Sequence, residues 1–143
     1  MKLALMICVI IASLCSVHGF LDPVEIPIRV KGTLTCSTPF RYKLNLEEQD
    51  NVVPTDIQVT EWVFSNKKTA NYEVSEKAYD MWPENYVEPM LVIHHTCGGN
   101  YGCVCKDFGA VGEDLEAKVN VNFESTDLKG CSRCMGGIMY PVI

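Results

Sequence analysis

Apolar side chains recur at every second position from Ile26 to Cys36 (Ile26, Ile28, Val30, Leu34, Cys36), with Arg29, Lys31, Thr33 and Thr35 between them. That is the period of a strand with one buried face. Gly32 falls on the buried parity, where a glycine marks a bulge, a bend or a close backbone approach. After Thr38-Pro39, Phe40, Tyr42, Leu44 and Leu46 alternate with Arg41, Lys43, Asn45 and Glu47, a second strand of the same kind. Glu47 to Pro54 reads as an acidic loop, Ile57, Val59 and Val63 share a parity, and Asn66-Lys67-Lys68 makes a turn before a short strand at Asn71–Val74.

One segment breaks the rhythm. Ser75 is placed to cap Glu76–Met81, and Ala78, Met81 and Trp82 lie at helical spacing before Pro83, which predicts one or two helical turns. Met90-Leu91-Val92-Ile93 is continuously apolar, as a strand covered on both faces should be. It runs through His94-His95-Thr96-Cys97 into a Gly-Gly-Asn-Tyr-Gly turn and then Cys103-Val104-Cys105, the outline of a hairpin. Val119, Val121 and Phe123 predict another strand, and Ile138-Met139-Tyr140 a closing one ahead of Pro141. Seven or so short strands with turn signals between them predict an all-β, antiparallel sandwich with at most one short helix.

The first nineteen residues change how the rest is counted. Lys2, the apolar run Leu3–Ser16 and Val17-His18-Gly19 before Phe20 form the charged, hydrophobic and cleavage regions of a secretory signal. The apolar run is too short to span a bilayer, which takes about 20 residues. The expected organisation is therefore a signal peptide at 1–19 and one domain at 20–143, secreted to the cell exterior with no integral membrane segment after cleavage. Cleavage removes Lys2 and no acid, moving the net charge from −6 to −7. Such an acidic chain lacks the cationic footprint that nucleic acid requires.

Cleavage also takes Cys8 and Cys15, leaving Cys36, Cys97, Cys103, Cys105, Cys131 and Cys134. An even count in a secreted chain reads as disulfides. Six cysteines admit 15 connectivities; the hairpin favours Cys97 with Cys103 or Cys105, and leaves Cys36 to the remaining one or to the C-terminal pair. Cys131-Ser132-Arg133-Cys134 has the spacing of a redox pair, but it sits among turn residues rather than at a strand-to-helix junction, so bridging is expected over redox catalysis. His94, His95 and the cysteines could supply a zinc set, but an oxidising compartment and the absence of paired knuckles oppose it. No metal or cofactor is expected.

The segment Val30-Lys31-Gly32-Thr33-Leu34-Thr35-Cys36 resembles the opening strand motif of the nematode transthyretin-like family of secreted proteins. Glu88-Pro89-Met90-Leu91-Val92-Ile93-His94-His95-Thr96-Cys97 is similar to that family's Pro-x-Leu-x-Ile-x-His-x-Cys strand, with Cys103 or Cys105 completing the pattern. The resemblance implies a transthyretin-like β-sandwich over about residues 25 to 125 and an extracellular role. Some members are thought to bridge cell surfaces and receptors, one by recognising phosphatidylserine on dying cells.

The chain departs from the family at Tyr42–Leu46, at Ser65–Tyr72 and in the tail from Cys131 to Ile143, so it reads as a divergent member. Relatives of this fold that hydrolyse 5-hydroxyisourate end in Tyr-Arg-Gly-Ser, whereas this chain ends Met139-Tyr140-Pro141-Val142-Ile143. No Ser-His-Asp or paired-carboxylate arrangement stands out either.

The expectation is a non-enzymatic binding or bridging protein whose partner is an extracellular protein, a lipid or a small apolar ligand. The alternatives are a small-molecule carrier and, behind it, the 5-hydroxyisourate hydrolase. Two sets of residues are candidates for contact. Adjacent His94 and His95 must point to opposite faces of a strand; a structural hydrogen bond is the expected role for the one matching the family's histidine, ligand contact the alternative. Arg29, Lys31, Arg41 and Lys43 all alternate outward, and form either a local cationic patch for anionic lipid or an ordinary solvated face.

Overall fold

The computed structural model describes residues 24–49, 55–80, 85–125 and 134. The first alternating segment forms β1 (Val24–Thr35) and the second β2 (Phe40–Glu48). There follow β3 (Thr55–Val59), β4 (Val63–Ser65), β5 (Thr69–Asp80), β6 (Pro89–His95), β7 (Gly102–Asp107), β8 (Leu115–Lys118) and β9 (Val121–Asn122), with a 3-10 turn at Cys97–Gly99. They make two sheets. One has the order β5-β1-β8 with β9 also on β1; the other has β3-β2-β6-β7 with β4 also on β2.

The inward parity of each strand supplies the core between the sheets. Ile26, Ile28, Val30 and Leu34 of β1 and Tyr72, Val74 and Ala78 of β5 face Phe40, Tyr42, Leu44 and Leu46 of β2 and Leu91 and Ile93 of β6. Burying each large apolar side chain contributes about 1.5–3 kcal/mol, so the alternation itself selects the sandwich. The continuous run at Met90–Ile93 has a separate explanation for each parity. Leu91 and Ile93 enter the main core, while Met90 and Val92 lie on the outer face under Cys103, Cys105 and Cys134.

Four features differ from the sequence reading. Ser75–Asp80, predicted as helical, is strand: β5 pairs with β1 residue for residue from Thr69↔Thr35 to Asp80↔Val24. A twelve-residue ladder outweighs a single N-cap worth about 1 kcal/mol. The loop predicted from Glu47 begins later, because Glu47 and Glu48 continue β2. The segment at 57–63 divides between β3 and β4, and the strand expected at 119–123 shortens to β9, with β8 an additional strand just before it. β8 and β9 run parallel to β1 rather than antiparallel.

The break between β8 and β9 has a visible cause. β8 and β9 keep one register on β1, but the ladder breaks opposite Gly32 and Thr33, where the Val119 carbonyl presses on Gly32. A Cβ at Gly32 would lie 1.8 Å from that oxygen, so the glycine on the buried parity serves a close backbone approach. Asn120 Oδ1 takes the Thr33 N–H at 3.1 Å, and Val119 O accepts the Tyr72 hydroxyl at 2.8 Å.

Among the described residues no helix is long and apolar enough to cross a membrane. The predicted signal at 1–19, Met81, Trp82, Cys131 and the predicted strand at Ile138–Tyr140 lie outside them.

Candidate functional site

Cys36 follows directly on β1 and Cys97 lies two residues past the end of β6, so the two sheets bring these residues to the same end of the sandwich. They are bonded to each other, with Cα atoms 5.8 Å apart. The hairpin pairing expected for Cys97 fails for a reason of register. On β7, Cys103 stands opposite His94 and Cys105 opposite Val92, on the outer face, whereas Cys97 lies beyond the end of β6. Cys103 bonds Cys134 instead, and Cys105 is also disulfide-bonded. The Cys103–Cys134 bridge and Cys105 pack over Met90 and Val92, so that strand is covered, and apolar, on both faces.

Cys36, Cys97 and Glu124 bring three metal-binding atoms within 4.8 Å of one another. The two sulfurs are bonded together, which removes both as thiolates. The Glu124 carboxylate beside them accepts the Ser37 N–H at 3.0 Å and the Ser37 hydroxyl. The cluster is therefore a stapled corner rather than a built cation site.

The two histidines diverge as adjacent strand residues must. His95 turns inward, is 8% exposed, and stacks on Phe123 with ring centroids 3.9 Å apart. Its Nδ1 accepts the Cys97 N–H at 3.2 Å. Burial, with a smaller push from His94, lowers its pKa to about 4, so the ring is neutral at physiological pH. Its cross-strand partner Gly102 leaves room for it, since a Cβ there would lie 2.4 Å from the ring. These contacts hold the chain that carries Cys97 and give His95 a structural role.

His94 turns outward, between Lys43 on β2 and Cys103 on β7. Its Nδ1 shares a 2.6 Å hydrogen bond with the Tyr101 hydroxyl, and the two rings stack. Burial first, and the Lys43 charge second, lower its pKa. Burial raises that of Tyr101, so the phenol keeps its proton. Both are thus held as neutral hydrogen-bonding groups at physiological pH. The outer face of this sheet presents Arg41, Lys43, His94 and Tyr101.

The four basic residues do not form one patch. Arg29 and Lys31 lie on the outer face of the β5-β1-β8 sheet, and Arg41 and Lys43 on the outer face of the other, across the thickness of the sandwich. Parity showed that all four point outward, but parity does not say from which sheet. Arg29 is also neutralised, with Nε 2.6 Å from Glu73 and Nη1 3.6 Å from Glu116. Arg29, Lys31, Glu116, Ala117 and Lys118 line a shallow cleft of about 210 Å³.

Two features escaped the sequence reading. Glu48 continues the inward parity of β2, is 4% exposed, and accepts the Glu88 N–H at Oε1 across 2.8 Å. It borders a cleft of about 290 Å³ with Asp56, Glu76 and Lys77, and extending the alternation by one step finds it. The second is a run of exposed apolar residues, Val59, Trp62, Val63 and Phe64, considered below.

No known family model, curated protein or solved structure matches the chain. The class established by these observations is an all-β, disulfide-bonded sandwich of two sheets.

Proposed function

We propose that this chain is a secreted, non-enzymatic binding or bridging protein of the nematode transthyretin-like kind, acting outside cells and at their surfaces. The observation that carries the reading is the meeting of its two sequence motifs. The first ends in Cys36, the second in Cys97, and the two cysteines form one disulfide between the sheets. Gly32 of the first motif and His95 of the second serve the close approach of Val119 and the seat of the Cys97 turn. Motifs that cooperate in three dimensions are better support for a shared ancestry than motifs that coincide only in sequence. The oxidised cysteines agree with an extracellular setting.

Binding is favoured over catalysis because, among the described residues, His94 is engaged by the Tyr101 phenol, which holds its proton, and no serine or carboxylate is shown completing a relay with it. The two clefts described above carry Glu48, Asp56, Glu76 and Lys77 in one and Arg29, Lys31, Glu116 and Lys118 in the other, which suits a carrier of apolar molecules poorly. The test is a titration of the oxidised protein, residues 20–143, onto intact unpermeabilised cells. Saturable surface binding is expected. Its absence, or turnover of 5-hydroxyisourate above the spontaneous rate, overturns the proposal.

A further inference from the structure

Most sheet edges of this protein carry charges that discourage strand addition. β5 exposes Glu73, Glu76 and Lys77, β8 exposes Glu116, and β7 exposes Lys106 and Asp107, while β3 carries Asp56. β4 carries none. Its sequence is Val63-Phe64-Ser65, preceded by Trp62, and the exposures of Trp62, Val63 and Phe64 are 44%, 43% and 62%. Three consecutive exposed apolar side chains on a free edge are the opposite of edge protection.

The hydrogen bonds of the neighbouring strand show which backbone groups this edge offers. Arg41 of β2 donates its N–H to Thr96 Oγ1 and accepts the Thr96 N–H at its carbonyl, both at 3.0 Å on the β6 side. In an antiparallel ladder successive residues face opposite ways. Phe40 and Tyr42 therefore bond to Ser65 and Val63, their partners on β4, and Phe64 turns its own N–H and C=O outward. Phe64 is thus the residue at which another strand can exchange a pair of backbone hydrogen bonds.

The flanking sequence selects that strand. Glu61 stands three residues before Phe64 and Lys67 three residues after it. An antiparallel pairing of β4 with a second β4, two-fold symmetric through Phe64, sets Val63 against Ser65 and lays the acidic approach to the strand at Glu61 of each copy alongside the Asn66–Lys68 bend, which carries Lys67, at the far end of the other. Among the described residues neither charge has an ion-pair partner within the chain. Trp62 packs diagonally toward the other copy's Phe64 in the same arrangement, within reach of a large side chain. An isologous interface must be complementary to itself, and this segment is.

We propose that β4 is a pairing edge for a second copy of this chain, which joins the β3-β2-β6-β7 sheets of two molecules across a two-fold axis at Phe64, flanked by reciprocal Glu61–Lys67 ion pairs. The contact is small, so the dimer is weak and concentration-dependent.

Sedimentation velocity of the oxidised mature protein over a wide concentration range tests it. A reversible dimer is expected for the native chain, and Phe64→Glu abolishes it while thermal unfolding stays near that of the native protein. Glu61→Lys or Lys67→Glu alone weakens association on the order of tenfold; the double exchange, Glu61→Lys with Lys67→Glu, restores it. A monomer at every concentration, a dimer indifferent to Phe64→Glu, or a double exchange no better than either single change overturns the proposal. So does finding that the edge takes an acidic peptide or a vesicle of anionic lipid while the chain itself stays monomeric.

Discussion

Replacing Gly32 by alanine puts the packing of the β8–β9 break to a quantitative test. The new Cβ would lie 1.8 Å from Val119 O, 2.7 Å from Val119 C and 3.1 Å from the Tyr72 ring. Two of those neighbours are backbone atoms, so no side-chain rotation relieves the clash and the Val119 peptide must move. Moving it breaks the Tyr72 hydroxyl bond to Val119 O at 2.8 Å and the Val119 N–H bond to Lys31 O at 2.9 Å.

Each lost bond costs about 1 kcal/mol and overpacking about 1–3 kcal/mol, offset by about 0.5–1 kcal/mol from the stiffer unfolded chain. The expected net loss is about 3 kcal/mol. Urea unfolding followed by fluorescence measures it, and a double-mutant cycle assigns it. Tyr72→Phe alone should cost about 1 kcal/mol, and almost nothing in the Gly32→Ala background, because the carbonyl it served has already moved. A Gly32→Ala loss below about 1 kcal/mol, or losses that simply add, refutes the close-approach argument.

Three further expectations follow from the same geometry. The Cys36–Cys97 bridge spans 61 residues, so the loop-closure relation assigns it about 4 kcal/mol, and Cys36→Ala/Cys97→Ala should lose that much in urea unfolding. His95 has its folded pKa lowered to about 4 from 6.5. The unfolded chain therefore takes up the proton first, and stability present above pH 6.5 falls as the pH drops toward 4, by about 3 kcal/mol; unfolding midpoints followed across that range should flatten in His95→Phe. Lys43→Gln removes the like charge facing His94, so the His94 titration followed by NMR should move upward, and no movement would show that the two side chains do not interact.

Most of the architecture was legible because a strand with one buried face writes its period directly into the sequence. Ile26–Cys36 and Phe40–Leu46 appear where alternation placed them, and the apolar run before the glycine turn became β6 and its return β7. What the sequence concealed depends on partners distant along the chain. Ser75–Asp80 carries a local helix signal and is overruled by β1, more than forty residues earlier. Cysteine pairing follows face and register: adjacency in a hairpin suggested Cys97 with a β7 cysteine, while the fold carries Cys36 to Cys97 and turns Cys103 to the other side. The cationic patch dissolved for a related reason, since two outward parities on different sheets point away from each other. The β4 edge was invisible because exposure of Trp62, Val63 and Phe64 is a property of the sheet order, which no local pattern encodes.

The proposal that this is an extracellular, disulfide-stapled protein is tested most directly by disulfide mapping of the protein collected from the medium of expressing cells. Mass spectrometry of the unreduced digest should find Phe20 at the N-terminus, no free thiol, and linked peptides joining Cys36 to Cys97 and Cys103 to Cys134. Protein retained inside the cell with residues 1–19 attached, or recovered with Cys36 and Cys97 as free thiols, would contradict it.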